Sequence, residues 1–400
     1  MTELLLRGGR PWTPGRTPTP ADVHLRDGRI AAIGTALAAP TAEVIDLDGA
    51  LVLPGLVDTH CHLDKTLWSG PWVPNTGGRT LAGRIANGER RRAELGIPRV
   101  DYAGNLLAAM VAAGTTHVRS HVDVDPEIGL TGVEVVRAAA ERHRDRVDVE
   151  LVAFPQGGLL RRPGTAKLLE AALAEGVEVI GGLDPAGYDN DAAGHLDLVF
   201  GLAERYGAKI DIHLHDGGSL GTWQFGLIIE RTRALGLAGR VTISHAYAMG
   251  QQEPDEQRRI ADELAAAGVA MVTCAVGEAP VVPVRVMAAA GATLALGNDG
   301  IRDLWTPYGD GDMLRRVGTV AYRDRLVADA EIELALRAGT HGGAAVLGLA
   351  EYGLTPGAPA DLCVVDGATP AAAVVALPPR KLVLKRGQVV AANGVLRDGD

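Results

Sequence analysis

The chain has 400 residues, of which 47% are hydrophobic and 22% are charged, and its formal net charge is −10 at pH 7. These values predict a globular protein with more than one ordinary domain, and the sequence has no run of ~20 uninterrupted apolar residues for a membrane helix. The negative charge disfavours a nucleic-acid partner, because nucleic-acid binders concentrate positive charge. We therefore expect a small neutral substrate.

Neither the first residues nor the cysteines indicate export. The N-terminus (MTELLLRGGRPW) lacks a basic segment followed by an apolar one, so we expect a cytoplasmic protein. Cys61, Cys274 and Cys363 lie far apart without CxxC spacing, which predicts neither a disulfide framework nor a thiolate zinc site. Arginine clusters at 90–92 and 315–316 are interpreted as solvated helix faces.

From position 50 onward, short apolar runs alternate with helical stretches, a pattern typical of parallel strands joined by crossover helices. The continuous Val, Ile and Leu content of the runs suits strands that are buried on both faces. Eight runs are predicted as strands: 52–62, 117–124, 149–156, 177–184, 209–216, 241–249, 269–276 and 292–299. The sequence therefore predicts an α/β fold with eight parallel strands.

The segments between these runs carry apolar residues three and four positions apart, which predicts helices. The clearest of them are 102–113, 165–174, 196–206 and 256–267. Several segments end on a glycine just before the next strand, where the left-handed turn that ends a helix favours glycine. These glycines are Gly114, Gly176, Gly207, Gly268 and Gly291.

Seven of the eight predicted strands finish on a His, Asp or Gln, which is costly to bury without a partner. In a (β/α)8 TIM barrel the active site lies at the carboxyl ends of the strands, so these residues are expected to converge there. They are His60, His62, His121, Asp123, Gln156, Asp184, His213, His215, Asp216, His245 and Asp299.

The two ends of the chain differ from the centre. Segments 1–50 and 357–400 alternate apolar and polar residues and carry turn signals, but neither has enough apolar surface to fold well alone. We expect the two to pair into one small β-sandwich domain beside a barrel domain formed by 51–356.

Two histidines suggest a metal site. His60 and His62 are two residues apart at the end of a strand, so both side chains point to one face. That spacing alone is a weak signal, because histidines are also common as buried hydrogen-bonding residues. It becomes informative because His213, His245 and Asp299 follow at the ends of the fifth, sixth and eighth strands. Such nitrogen and oxygen ligands suit zinc or ferrous iron.

Six segments carry a family resemblance: LPGLVDTHCHLDK (53–65), HVRSHVDVD (117–125), VAFPQGG (152–158), DIHLHD (211–216), SHAYAM (244–249) and LGNDGIRDLWTPYGDGDM (296–313). They resemble the amidohydrolase superfamily, in its branch containing cytosine deaminase and N-isopropylammelide isopropylaminohydrolase. The resemblance implies a homo-oligomer with one zinc or iron(II) ion bound by His60, His62, His213 and Asp299. It makes His245 a partner of the attacking water and the substrate. The fourth strand (VEVIGGLD) has no lysine to bridge two metals, which favours a single ion.

The same resemblance implies attack by hydroxide on a ring carbon that bears an exocyclic amine, with Asp299 taking the first proton. Cytosine deaminases have a proton-shuttling glutamate three residues after the strand-five histidine, whereas this chain has Asp216. His215 shares a face with His213. We hypothesise that His215 and Asp216 shuttle protons together; the alternative is that His215 only orders the pocket.

Substrate recognition is assigned to five residues. The resemblance makes Gln156 the partner of a lactam-like ring edge and Asp184 an acceptor for a ring N–H. Lys65, Asp303 and Trp305 follow ligand motifs and either line the pocket or serve packing and ion pairing, with Trp305 offering a face for a planar ring.

Two features of the pocket stay open at this point. The alternative partner of Lys65 is its neighbour Asp64. Gly300 stands where relatives have a polar residue, and we expect the space to admit a bulkier substituent or a water.

The function expected from these features is metal-dependent hydrolytic deamination of an amino-substituted N-heterocycle, either a cytosine-like pyrimidine or an amino-s-triazine. One alternative is hydrolysis of a cyclic amide, which the missing bridging lysine and Gln156 disfavour. A second is a catalytically silent heterocycle-binding protein, which the change to Asp216 invites.

Overall fold

The computed structural model describes residues 3–397. Its strands are β1 (Glu3–Pro11), β2 (Ala21–Arg26), β3 (Arg29–Gly34), β4 (Glu43–Asp46), β5 (Leu51–Pro54), β6 (Leu56–Cys61), β7 (Thr115–Asp123), β8 (Asp148–Phe154), β9 (Val179–Leu183), β10 (Lys209–His213), β11 (Val241–Ser244), β12 (Val269–Thr273), β13 (Leu294–Leu296), β14 (Leu362–Val365), β15 (Arg380–Lys385), β16 (Gln388–Ala392) and β17 (Val395–Leu396).

The helices are α1 (Leu81–Leu95), α2 (Val100–Ala112), α3 (Thr131–Glu141), α4 (Thr165–Ala174), α5 (Ala192–Tyr206), α6 (Gly218–Ala234), α7 (Tyr247–Gly250), α8 (Pro254–Ala267), α9 (Val284–Ala289), α10 (Met313–Arg323), α11 (Asp329–Arg337), α12 (Gly343–Leu347) and α13 (Pro370–Ala376). A π-helical turn, Ala338–Gly342, joins α11 to α12. Among residues 3–397, no helix is long and apolar enough to cross a membrane.

Strands β6 to β13 form the predicted barrel. They lie side by side in sequence order, and every neighbouring pair is parallel. The two end strands meet where Asp299 N donates to His60 O at 2.7 Å, and Cys61 forms a parallel bridge with Asp299. The prediction of a (β/α)8 barrel is confirmed.

The first barrel strand is shorter than predicted. Residues 51–54 form β5, which pairs with β1 and β14 in the other sheet, and the barrel strand begins at Leu56. Gly55 makes this change of sheet possible, because a Cβ there would lie 2.2 Å from Thr116 Oγ1. The prediction of one strand over 52–62 was therefore wrong.

The carboxyl ends of several barrel strands also differ from the prediction. The sixth strand was expected to reach 249, but β11 ends at Ser244 and 247–250 is a helical turn. The backbone of His245 and Ala246 is left-handed, with φ of 67° and 49°, so the ladder cannot continue. Most of the polar residues predicted at strand ends thus lie in the loops immediately after the strands, whereas four lie within strands: His60, His121, Asp123 and His213.

The predicted helices are confirmed as α2, α4, α5 and α8, with ends that differ by a few residues. All five glycines predicted to follow helices have positive φ, between 65° and 100°. Each of them ends a segment on the outer side of the barrel and turns the chain toward the next strand.

The terminal segments form one nine-stranded sheet in the order β17-β16-β15-β14-β5-β1-β2-β3, with β4 paired to β1. The strands from the N-terminal segment and those from the C-terminal segment share an apolar core that includes Leu6, Val23, Leu362 and Leu384. This matches the predicted β-sandwich built from both ends of the chain. The domain limits of 1–50 with 357–400 and of 51–356 stay a prediction.

Candidate metal centre and substrate pocket

Five of the predicted residues converge at the carboxyl end of the barrel. His60 and His62 come from β6 and the loop after it, and His213 ends β10. The three can each offer a nitrogen such that these atoms lie within 4.8 Å of one another. Asp299 Oδ1 lies 3.3 Å from His62 Nε2, and His245 joins the same group through His60 and Asp299.

The histidine nitrogens of this cluster have the properties of a cation site. Within residues 3–397, buried His60 Nε2, His62 Nδ1 and both nitrogens of His213 have no hydrogen-bond partner. Buried polar atoms without a partner are rare in proteins, and a divalent cation bound by imidazole nitrogens would satisfy them. Burial holds the pKa of His60 and of His213 well below the usual value, so both rings are neutral and able to bind a metal.

Asp299 adds a negative charge to this cluster. Burial alone would raise its pKa, but the hydrogen bond from His62 opposes burial and holds the pKa well below its usual range. An ionised carboxylate beside neutral imidazoles gives the nitrogen and oxygen donor set that suits zinc or ferrous iron.

Three residues of the site hold a left-handed backbone, with φ of 35° at Asp184, 67° at His245 and 62° at Asp299. None of them is a glycine, so each conformation costs on the order of 1–3 kcal/mol and must be held by its surroundings. Such strain is concentrated at functional sites. Here it turns the three side chains inward immediately after their strands.

His215 is bound to Asp184. Its Nδ1 lies 2.8 Å from Asp184 Oδ2, and its backbone N donates to Asp184 Oδ1 at 2.5 Å. The ring centroid is 4.4 Å from that of His245, so His215 borders the group of histidines with Asp299, here called the metal cluster. Burial acts to lower the pKa of His215, but Asp184 outweighs it and raises the pKa above the usual value. Both oxygens of Asp184 are therefore engaged within the protein, and its predicted role as an acceptor for a ring N–H stays a prediction.

Asp216 contacts this pair through its backbone, because its N donates to Asp184 Oδ1 at 3.2 Å, but its carboxylate has other partners. Its Oδ2 accepts hydrogen bonds from Gly187 N at 2.8 Å and from Gln224 Nε2 at 2.9 Å. These contacts tie the carboxylate to the loop after β9 and to α6. The Asp216 carboxylate thus has different partners from His215, and the joint proton shuttle of the two residues stays a prediction.

Lys65 organises the other side of the pocket. Its Nζ donates to Gln156 Oε1 at 2.5 Å and pairs with Asp123 Oδ1 at 2.9 Å. It also lies 5.6 Å from the ring centroid of Trp305. The partner of Lys65 is therefore Asp123 and not its neighbour Asp64. With its oxygen occupied, Gln156 has its amide NH2 group left to donate.

Asp303 fixes the position of Trp305 by accepting hydrogen bonds from the backbone N of Trp305 and of Thr306, both at 2.8 Å. A Cβ on Gly300 would lie 2.3 Å from Asp303 Oδ2. The expectation that Gly300 leaves room for a substituent or a water was wrong, because the Asp303 carboxylate fills that space.

A cavity that opens to solvent adjoins Lys65, Gln156 and Trp305, with about 420 Å³ of empty space, part of which is open solvent. Helix α1 covers it with Ile85, Gly88 and other residues. The full lining is Lys65, Ile85, Gly88, Glu89, Arg92, Ile97, Asp123, Asp125, Gln156, Leu304 and Trp305. The cavity therefore combines an apolar wall with hydrogen-bonding groups, as is common in small-molecule sites.

One arginine of the predicted solvated cluster is buried at this cavity. Arg92 is 9% exposed and makes two hydrogen bonds to Asp125, at 2.6 and 2.9 Å. The prediction of a solvated face was wrong for this residue. The pair joins α1 to the loop after β7, and its partner is 33 positions away in the chain.

Sequence reasoning placed His121 at the active-site end without a specific role, and it missed three other buried polar residues beneath the histidines: Arg119, Asp211 and Ser244. His121 lies among the histidines, with its ring centroid 4.0 Å from that of His60. Ser244 Oγ lies 2.9 Å from His60 Nδ1. The two-residue spacing of Asp211 and His213 on β10 was the available signal, because it places both side chains inside the barrel.

Comparison with known proteins agrees with this geometry. The model of an amidohydrolase family matches residues 43–141 and 99–391. The chain belongs to this family. The amidohydrolase is 32% identical over 380 residues to N-isopropylammelide isopropyl amidohydrolase of Pseudomonas sp. (strain ADP), a match that covers 94% of each chain.

Two solved structures resemble the amidohydrolase over their full length. N-isopropylammelide isopropylaminohydrolase from Burkholderia multivorans is 44% identical with a TM-score of 0.94, over 99% of this chain and all of the other. The 5-methylcytosine deaminase from Klebsiella pneumoniae, liganded with 5-fluorocytosine, is 26% identical with a TM-score of 0.84, over all of this chain and 98% of the other. The predicted superfamily branch is confirmed.

Proposed function

We propose that this amidohydrolase removes an exocyclic amine, or an alkylamine, from an N-heterocycle by metal-dependent hydrolysis. The supporting observation is the group of unpartnered buried nitrogens on His60, His62 and His213 beside the ionised Asp299. Relatives that act on an alkylamino triazine and on a cytosine have the same fold over the whole chain. An amino-s-triazine or a cytosine-like pyrimidine is the substrate class that we favour.

His60, His62, His213 and Asp299 are the proposed ligands of one zinc or iron(II) ion. A divalent cation held there would lower the pKa of water from 15.7 toward ~7 and so supply hydroxide at neutral pH. Asp299 would accept a proton from the attacking water. His245 is neutral because burial lowers its pKa to about 3, so it can accept a hydrogen bond from the water or orient the substrate.

His215 is the proposed donor of a proton to the departing nitrogen. Because its Nδ1 is held by Asp184, its Nε2 is the atom that remains for the substrate. Asp184 would act by orienting the ring and favouring its protonated form. Proton transfer by a positioned side chain contributes roughly 10²- to 10⁴-fold to the rate.

The ring itself would lie against Trp305, with Gln156 and Lys65 at its polar edge. Gln156 can donate through its amide NH2 group, and Lys65 donates as an ammonium group. Both donors suit a ring carbonyl or an unprotonated ring nitrogen. The adjoining cavity gives space for a ring substituent among Ile85, Leu304 and other lining residues.

The test is release of ammonia or alkylamine from a panel of aminopyrimidines, aminopurines and aminotriazines. The protein is prepared metal-free, zinc-loaded and iron(II)-loaded, with His213→Ala as a variant that lacks one ligand. We expect amine release only from a loaded wild-type form. Product analysis by mass spectrometry separates the alternatives: ring opening without free amine indicates a cyclic amide hydrolase. Binding without turnover at full metal occupancy indicates a silent binding protein.

Three further expectations are kept as proposals. These are one metal ion per chain, assembly into a homo-oligomer, and a cytoplasmic protein without a nucleic-acid partner. Metal analysis of the purified protein and sedimentation of the full chain check the first two directly.

A further inference from the structure

The interior of the barrel contains a continuous line of charged side chains beneath the metal cluster. Arg119 and Asp211 are fully buried, and Arg119 Nη1 donates to Asp211 Oδ2 at 2.9 Å. Arg119 Nε also donates to Glu150 Oε2 at 2.7 Å, and Glu150 is paired in turn with Lys209. TIM-barrel interiors are usually filled by bulky branched apolar residues. Four charged side chains in this position therefore require an explanation.

The upper end of this line is His60. Ser244 Oγ donates to Asp211 Oδ1 at 2.6 Å and lies 2.9 Å from His60 Nδ1. A serine hydroxyl has one hydrogen, so a serine that donates to Asp211 can only accept from His60. His60 must then carry its proton on Nδ1, and its Nε2 is left bare beside His62 and Asp299.

A second metal ion does not account for this arrangement. His60, His121 and Asp211 are close enough together to be considered as cation ligands. However, the Arg119 guanidinium already lies 2.9 Å from Asp211 Oδ2, where its positive charge would repel a cation. Asp211 is thus neutralised by the arginine and not by an ion.

We propose that Asp211 and Ser244 are positioning residues that fix the tautomer of His60, so that its Nε2 is available to the metal. Arg119 holds Asp211 in the orientation that this requires. The proposal rests on the metal site proposed above, and it adds two residues that lie outside the ligand set. Partners of this kind behind a ligand histidine typically change metal affinity by 10- to 100-fold when they are removed.

Two substitutions have different expected effects. Ser244→Ala removes the acceptor for His60 Nδ1–H and leaves both tautomers accessible, so zinc affinity should fall about 10-fold. In Asp211→Asn, the amide oxygen faces Arg119, which turns the amide NH2 group toward Ser244. The serine hydrogen is no longer held by a carboxylate and can point to His60 Nδ1, which favours the tautomer with a protonated Nε2. Zinc affinity should fall about 100-fold.

The double variant provides the decisive comparison. Without Ser244 the altered amide cannot act on His60, so the double variant should bind zinc no more weakly than Asp211→Asn alone. If the two residues only supported the fold, their effects would multiply. The matched control is Thr232→Val, which removes a buried hydroxyl that donates to Ile228 O in α6, far from the barrel mouth.

Zinc affinity is measured by chelator competition, and the absorption bands of Co(II)-loaded protein report the ligand geometry. We expect altered bands in Ser244→Ala and wild-type bands in Thr232→Val. Wild-type affinity in Ser244→Ala, or multiplicative effects in the double variant, would overturn the positioning role. Absence of 1:1 zinc binding by the wild-type protein would instead refute the metal site itself. Should Asp211→Asn fail to fold, the affinity and bands of Ser244→Ala decide alone.

Discussion

Asp184 holds His215 by two contacts at once, because its Oδ2 lies 2.8 Å from His215 Nδ1 and its Oδ1 accepts from His215 N at 2.5 Å. The ring is therefore fixed in orientation, and its Nε2 is the nitrogen that Asp184 does not hold. The carboxylate of Asp216, the next residue, accepts from Gly187 and Gln224, whereas its backbone N donates to Asp184 Oδ1. This difference in partners allows the proton-transfer roles of the two carboxylates to be separated experimentally.

We expect Asp184→Asn to lower kcat by roughly 10²-fold, the lower bound for loss of a positioned acid. The oxygen of an amide can accept from His215 N, but its NH2 group cannot accept from Nδ1–H. The variant therefore does not favour a protonated ring. Asp216→Asn is the matched control. It should change kcat less than about threefold, far below the 10²-fold loss expected for Asp184→Asn. Both variants are compared at equal metal content. Equal losses in the two variants would restore the shared role that the sequence predicted for Asp216.

The Asp303–Gly300 contact gives a second prediction. Gly300→Ala must displace the Asp303 carboxylate, which then loses its bonds to the backbone of Trp305 and Thr306. Hydrogen bonds to a charged group are worth about 1.5–3 kcal/mol. We expect KM to rise roughly 10-fold while kcat changes little, because the role proposed for Trp305 is to bind the ring without touching the reacting atoms.

Asp303→Ala serves as the comparison for this prediction. If Gly300→Ala acts through Asp303, the double variant should have the same KM as Asp303→Ala alone. A double variant with a distinctly higher KM would show that Gly300 acts by another route.

The cavity beneath α1 gives a third prediction. A Cβ on Gly88 would lie 3.8 Å from Trp305 Nε1, so Gly88→Leu extends a side chain into the cavity without a clash at its base. KM for substrates with a bulky ring substituent should rise about 10-fold, which corresponds to 1.4 kcal/mol of lost binding. KM for the unsubstituted ring should change less.

Gly201→Leu is the matched control for Gly88→Leu. Gly201 is an exposed glycine within α5, and a Cβ there would meet no atom within 4 Å. Both substitutions replace a helical glycine and should stabilise the helix by up to ~0.8–1.0 kcal/mol. A KM change in both variants would mean that the effect comes from helix stability and not from the cavity.

The sequence predicted that the histidines and Asp299 converge at one end of the barrel, because its signal is periodic and local. His60 and His62 are separated by two positions, and the barrel rule brings strand ends together without any knowledge of side-chain contacts. The positioning residues beneath them, Asp211 and Ser244, and their partner Arg119 were missed for the opposite reason. Arg119 and Ser244 lie inside apolar runs, and each acquires its role from partners on other strands.

Contacts between distant segments account for the remaining errors. The burial of Arg92 depends on Asp125, which belongs to the loop of another strand. The start of the first barrel strand depends on how closely Gly55 approaches Thr116. Neither contact leaves a periodic pattern in the sequence, so composition and spacing alone gave no indication of them.

Stability should fall in mild acid because of His117, at the contact between barrel and sandwich. Burial and the nearby ammonium of Lys385 lower its pKa to about 4, whereas Asp148, Asp361 and Arg386 have smaller effects. In the unfolded chain the pKa of a histidine is about 6.5. The unfolded state therefore binds more protons between these values, and stability is lost as the pH falls from about 6.5 toward 4.

Between pH 7 and pH 5, protonation of His117 in the unfolded chain lowers the free energy of unfolding by roughly 2 kcal/mol, given about 1.36 kcal/mol for each pKa unit. His117→Gln cannot titrate, so its free energy of unfolding should fall by roughly 2 kcal/mol less than that of the wild type over this range. Urea denaturation at both pH values measures the difference. Other titrating groups affect both proteins alike, so equal losses in the two would mean that His117 accepts its proton in the folded state as easily as in the unfolded chain.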